Sequence, residues 1–462
     1  MHLSKDETQK RLIRLRNLEL LHTKAHERII FLEAENKILK QRIKELEEKD
    51  NDKNTKIEAL AFQLEQIKNK VFGKRPDEER ILRKREIKER DSASYIRPIP
   101  QRITETQTHP IGTCAHCNRS FTEKSVKVFF EEDIPLPIQK TVIRHDVEVG
   151  YCTQCKRQSS GYRIPSKKAV LGENVKKYVC LLSIANRLPH SQIKEHLKDV
   201  FDLSLSMGEI GNMLQEEADN LRPQYERLKV SVINQEATHY DETTWNVQKE
   251  GKGKYAWVAT GTQNNDTVFS MGQSRGKGNI DELGIAKTGI TDDYGAYKNA
   301  FEEHQLCWAH PQRKLRDLAE SKEIAQAKTH CTDTYVEFSK LYTRIAKLRG
   351  QPLSSYLQRT FQKTFDSISE THALDPTPLS KIKEALRKNK DAYFTFLTHP
   401  TIPIDNNKAE RSLRHLVIKR KISFGSKTQR GADTTAILAS VILSLKWNDH
   451  EKWFETYLAL KA

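Results

Sequence analysis

Two C-x-x-C pairs, Cys114-Ala115-His116-Cys117 and Cys152-Thr153-Gln154-Cys155, constrain the fold of this chain more than any other feature. Each pair offers two thiolates from one tight turn, and two such turns close a tetrahedral zinc shell. With strand-like runs at Val126 to Phe130 and Val142 to Val149 between them, they predict a zinc ribbon over 109–165. Cys114, Cys117, Cys152 and Cys155 are its expected ligands for a structural Zn²⁺. Four thiolates fill the shell and leave no open position for a substrate or for His116. Seven cysteines, an odd number, argue against a disulfide framework.

Ahead of the ribbon, residues 8–72 carry a heptad pattern, so residues 1–72 are expected to form a leucine-zipper-like coiled coil. One register puts Leu18, Leu32, Leu39, Leu46 and Leu60 at d and Leu15, Ile29, Ile43 and Leu64 at a. Aliphatic a with Leu d favours two parallel strands, and a single polar a residue, here Asn36, fixes register. A homodimer or higher multimer follows. The register breaks at Asp50 and Lys53, where a hinge or fold-back fits. Residues 73–108 form a basic linker, equally a solvated spacer or a phosphate-contacting arm. Residues 166–232 read as helices: a buried one at Tyr178 to Ala185, and Ser206 with Glu209 as a capping box before Met207 to Leu221. Their arrangement suits either a helix-turn-helix-like DNA-binding segment or an ordinary connector.

The N-terminus lacks the apolar stretch of a signal peptide, and no apolar run reaches membrane-span length, so a cytoplasmic, nucleoid-associated protein with no membrane is expected. Hydrophobic residues make up 37% and charged residues 30%, with a formal net charge of +16. Such a surplus of cations favours a polyanion, and DNA binding gains from counterion release at each neutralised phosphate.

From about residue 233 the pattern changes. Ala237 to Trp245, Tyr255 to Gly261 and Thr267 to Gln273 form an antiparallel meander; then come a short helix at Ile280 to Ile285 and strands at Thr288 to Thr291 and Gln305 to Ala309. This order predicts an RNase H-like α/β domain over 233–430, with a helical insertion at about 317–400 and C-terminal helices over 431–462. On that fold three acids converge: Asp241 in the first strand, Asp292 at the end of a later one, and Glu410 in the first turn of the helix after Pro403-Ile404-Asp405-Asn406-Asn407. Phosphodiester strand transfer uses two divalent ions, which such carboxylates suit. Taken singly, each acid has a plainer reading: Glu410 as a capping-box partner of Asn407, Asp292 as a turn starter with Gly295, Asp241 as a solvent-facing strand residue.

At these residues the sequence resembles the insertion-sequence-66 family of bacterial transposases, over nearly its whole length. Pro403 to Arg414 resembles the family's P-I-D-N-N-x-x-E-R-x-L-R, Cys307-Trp308-Ala309-His310-Pro311-Gln312-Arg313-Lys314 its C-W-A-H-x-R-R-K, Asp241-Glu242-Thr243 its D-E-T strand, and Asp292 to Tyr297 its D-G-Y-x-x-Y. The resemblance implies a DDE triad of Asp241, Asp292 and Glu410 holding two Mg²⁺ or Mn²⁺, with Asp292 rather than Asp293 as the second ligand. It implies cleavage at element ends and transfer of the 3′-hydroxyl into target DNA, with terminal inverted repeats and target DNA as partners and accessory proteins from the same element as further ones. The runner-up is a catalytically inactive DNA-binding protein derived from a transposase. Asp293 stands in place of the usual Gly and Gln312 where Arg is common; Phe72-Gly73-Lys74-Arg75-Pro76-Asp77 departs from the family's F-G-R-S-S-E. Arg411, Arg414, Lys419, Arg420 and Lys421, with His310, Arg313 and Lys314, are the candidate DNA contacts; for His310 a structural hydrogen-bonding role is an equal reading.

Overall fold

A computed structural model of the chain describes residues 60–67, part of 100–170, and 171–460 except 250–253, 322–323 and 325–327. The first C-x-x-C pair, Cys155 and all of the expected coiled coil but 60–67 lie outside the described residues. The helical stretch 60–67 lies against the helices that follow the last strand: Phe62 packs on their core and Ser321 Oγ donates to Glu65 Oε2 at 2.5 Å.

Strands β1 (Val149–Cys152) and β2 (Arg157–Ser160) form an antiparallel hairpin in which Cys152, the last residue of β1, pairs with Arg157. The strand expected at Val142 to Val149 is displaced: 141–148 carries no regular structure, and pairing begins at Val149, where β2 supplies a partner.

Four helices follow, α1 (Glu173–Ile184), α2 (His190–Phe201), α3 (Met207–Asn220) and α4 (Arg222–Ile233). The expected capping box opens α3: Ser206 Oγ accepts from the Glu209 amide at 3.1 Å, and the Glu209 carboxylate accepts from the Ser206 amide at 2.9 Å. Next come β3 (Thr238–Thr244), β4 (Tyr255–Gly261), β5 (Thr267–Gly272), α5 (Gly278–Leu283), β6 (Thr288–Thr291) and β7 (Glu303–Leu306). They build one five-stranded sheet of order β5-β4-β3-β6-β7, antiparallel through β5-β4-β3 and parallel through β3-β6-β7.

The rest is helical: α6 (Ala309–Ala319), α7 (Lys328–Lys347), α8 (Ser355–Ser369), α9 (Thr377–Lys388), α10 (Lys390–Tyr393), α11 (Asn407–Ser423), α12 (Gln429–Asn448) and α13 (Trp453–Ala459). Helices α4, α5, α11 and α12 pack on the meander, so β4 and β5 are buried almost throughout and read as near-continuous apolar runs. The outer edge of β5 is not left bare. Ser440 and Ser444 on α12 accept from the amides of Phe269 and Thr267 at 2.8 and 2.9 Å, and Tyr225 donates to the Phe269 carbonyl at 2.9 Å.

One core joins α1–α4, the meander and α11–α13; a second joins β7 and α6–α10 around Trp308, whose indole donates to the Tyr393 carbonyl at 2.8 Å. Trp308 also corrects the expected last strand. Its amide goes to the Ile404 carbonyl at 2.9 Å, which stops the ladder before Ala309 opens α6. Among the described residues, no helix is long and apolar enough to cross a membrane.

Candidate active site

The parallel seam between β3 and β6 sets up the site. Thr238 pairs with Gly289 and His239 with Ile290, and the pairing stops there. Carried on by two residues, the same register brings Asp241 and Asp292 to one level on neighbouring strands, which lie roughly 5 Å apart. This is the carboxyl end of parallel strands, where open α/β sheets bind their ligands.

The place beside Tyr240 that β6 leaves open is taken by Asn406, which is wholly buried. Its side-chain amide donates to the Tyr240 carbonyl at 2.7 Å, and its Oδ1 lies 3.0 Å from His239 Nδ1. Since that oxygen can only accept, His239 Nδ1 carries the proton. Burial drives the His239 pKa down to about 3, so the ring stays neutral. The Asn406 amide donates to Cys307 Sγ at 3.1 Å. One residue thus ties the start of α11 to the ends of β3 and β7 and brings Glu410, one turn on, to the sheet.

Asn406, not Asn407, is the N-cap of α11. The Glu410 carboxylate goes to Arg313 on α6: NH2 to Oε1 at 2.5 Å and NH1 to Oε2 at 3.2 Å. His310 Nε2 lies 3.7 Å from Oε1; burial first, then the Arg313 charge, pushes the His310 pKa down to about 4.

Asp241 is the most perturbed of the acids. Burial first, then the charges of Glu242, Asp292 and Glu410, push its pKa up to about 8 against a single opposing hydrogen bond from the Glu242 amide. Asp292 is raised as well, by burial, although the Tyr294 amide, Arg275 and Lys314 oppose it. Asp293 points elsewhere and accepts from Asn389 Nδ2 at 3.2 Å. Glu242, with 2% of its side chain exposed, takes Arg275 NH2 at 2.5 Å and Tyr297 OH at 2.5 Å. The Arg275 guanidinium lies 3.7 Å from the centre of the Tyr294 ring. This cage fixes the turn that carries Asp292.

Half-buried carboxylates with surplus negative charge and hard oxygen donors match the chemistry of a divalent cation. As they stand, with Glu410 forked to Arg313, no three His, Cys, Asp or Glu side chains among the described residues are gathered tightly enough to hold one ion.

The Transposase IS66 family model matches residues 168–434, which span α1 to α11, the five-stranded sheet and all three acids. The chain belongs to this family. It is 28% identical over 315 residues to the uncharacterized protein y4qI of Sinorhizobium fredii, a match covering 60% of this chain and 56% of that relative. Against the uncharacterized protein y4hP of the same organism it is 22% identical over 408 residues, 79% of this chain and 73% of the relative. The chain thus spans little more than half the length of the first of these relatives.

In this member of the IS66 family the expected DNA contacts divide. Arg411, Arg414 and Lys421 are exposed on α11, and Lys314 is exposed on α6. Arg313 is engaged with Glu410, and Arg420 is held by Thr243 and Thr244 at the end of β3. Lys419 is a correction. It is buried, and its ammonium donates to the Ser183 carbonyl at 2.7 Å and to Ser183 Oγ at 3.2 Å, closing the end of α1 rather than reaching a phosphate. Burial lowers its pKa to about 8. Sequence reasoning assigned no role to Asn406, His239, Glu242 or Arg275. Asn406 and Glu242 lie inside the quoted family motifs, which was the available signal; nothing local marks Arg275.

Proposed function

We propose that this chain is a DNA transposase with an RNase H-like catalytic domain, cutting at the ends of its element and joining the freed 3′-hydroxyl to target DNA. What supports the reading is that Asp292, just past β6, and Glu410, on α11, lie near enough to Asp241 on β3 to raise the cost of ionising it. Half-buried acids that perturb one another in this way cluster at functional sites. Asp241, Asp292 and Glu410 would hold Mg²⁺ or Mn²⁺. When bound, such ions activate the attacking oxygen and stabilise the leaving one.

The protein's own side chains do the rest. Arg313 orients Glu410 and offsets one negative charge; Arg275 and Tyr297 hold Glu242 away from the substrate. His310 stays neutral and adds no charge beside Glu410. Lys314, Arg411 and Arg414 supply exposed cations for the DNA backbone, which position a duplex without reading its sequence. The zinc ribbon, the helical segment α1–α4 and the coiled coil would bind and pair the terminal repeats in a cytoplasmic, nucleoid-associated complex.

One observation favours a second reading, DNA binding without catalysis: both Glu410 oxygens are taken by Arg313. An assay on DNA carrying the terminal repeat separates the two. Transposition predicts Mg²⁺-dependent 3′-end cleavage by the wild-type chain that Asp241→Asn removes while end binding persists; binding with no cleavage under any divalent ion supports the second reading.

A further inference from the structure

Helix α11 ends in a conformation that the sequence does not favour. Phe424 follows it at φ 60°, ψ 22°, in the left-handed region, where a bulky aromatic is a genuine outlier. Such strain persists only where the surroundings over-determine it, and it gathers at ligand contacts. Packing of the ring does not compensate it, because Phe424 is 65% exposed.

The loop is instead pinned through its backbone. Asn246 Nδ2 donates to the Phe424 carbonyl at 3.2 Å, and the Ser426 amide donates to the Asn246 carbonyl at 2.9 Å. Gln248 and Lys249 return amide bonds to Ser426 and Lys427 at 3.0 and 3.2 Å, and Trp245 Nε1 donates to Ser426 Oγ at 3.1 Å. Gly425, at φ 93°, lies so close to Asn246 that a Cβ there would meet its carbonyl oxygen at 2.2 Å. The protein therefore spends several contacts on presenting an aromatic ring to solvent.

The surroundings indicate what meets it. Arg411, Arg414 and Lys421 are exposed at helical spacing along one face of α11, leading from Glu410 to Phe424. Lys249, Lys427 and Arg430 are exposed on the pinned loop and its neighbours, and no acid occurs between Glu410 and Asp433. An exposed apolar ring at the end of a cationic track is the combination that wedges into a duplex base step while the cations hold the backbone.

We propose that Phe424 is a base-stacking contact, its ring seated on or wedged beside a nucleobase while the α11 cations hold the adjoining phosphates. This rests on the DNA-binding reading above. At 1.5 Å per residue, Phe424 lies about 21 Å along α11 from Glu410. At 3.4 Å per base pair that is about six base pairs, so the contact falls within the same bound DNA end and outside the cleavage site.

The test uses the full chain without divalent ions, on a duplex carrying the terminal repeat that the transposase reading predicts beside its gene, with 2-aminopurine placed at successive positions. The wild type raises the fluorescence at one or two adjacent positions, reporting an unstacked base. Phe424→Ala and Phe424→Asn abolish that rise and weaken binding about tenfold. Asn is comfortable in the left-handed region and keeps the loop, so its loss of signal assigns the effect to the ring. Phe424→Trp restores both. An unchanged fluorescence pattern in Phe424→Asn at full DNA occupancy overturns the proposal and leaves the transposase reading standing. So does a loss of self-association with unaltered DNA affinity, which makes the ring a protein contact. A wild-type chain that binds no DNA overturns both.

Discussion

Arg313 holds Glu410 through both terminal nitrogens, at 2.5 and 3.2 Å, so the acid supplied by α11 is oriented from α6. The fork needs a planar guanidinium; an ammonium keeps the charge and loses the second bond. Arg313→Lys should therefore cut Mg²⁺-dependent end cleavage by about 10- to 100-fold, as for other residues that orient a metal ligand, with the fold unaltered. A cleavage rate within about twofold of wild type, under the same assay, contradicts this role.

Asn406 is the joint between α11 and the sheet, with buried bonds to the Tyr240 carbonyl, His239 and Cys307. Asn406→Ala strands His239 Nδ1–H and the Tyr240 carbonyl away from water. The expected loss is about 2–4 kcal/mol, read as a lower urea midpoint, together with a loss of cleavage. An unchanged midpoint contradicts it.

Stability should depend on pH through Asp241. Its folded pKa of about 8 lies above the ordinary value of 3.8, so the folded chain binds the extra proton. That contribution is complete below about pH 4 and is lost as pH rises toward about 8. In the absence of divalent ions, Asp241→Asn should gain on the wild type between pH 5 and pH 8, by about 1–3 kcal/mol after allowance for relaxation of the site. Thermal melts across that range check it; a difference between the two proteins that does not grow with pH contradicts it.

Much of this was legible because the signals are local. The meander, the capping box at Ser206 and the helices of the insertion follow from alternation, capping and helical period. Asp241 could be placed on a strand, and Asp292 at the end of one, for the same reason. The basic run after Glu410 was misread at one position: helical period turns Lys419 inward to Ser183 while Lys421 stays outside. Asn406 paired with Tyr240, Arg313 with Glu410 and Arg275 with Glu242 join elements far apart in the chain, and no local pattern encodes such pairs.

Cys152 ends β1, and with Cys114, Cys117 and Cys155 it makes up the expected zinc shell. Metal analysis of the purified chain should find about one zinc per chain, and Cys152→Ser should lose it. Full zinc retention in that variant contradicts the ligand set.

Strand transfer by the carboxylate variants tests the central claim most directly. On terminal-repeat DNA with Mg²⁺, Asp241→Asn, Asp292→Asn and Glu410→Gln should each abolish end cleavage and joining while binding the repeat as the wild type does. Joining at the wild-type rate by any one of the three contradicts the account.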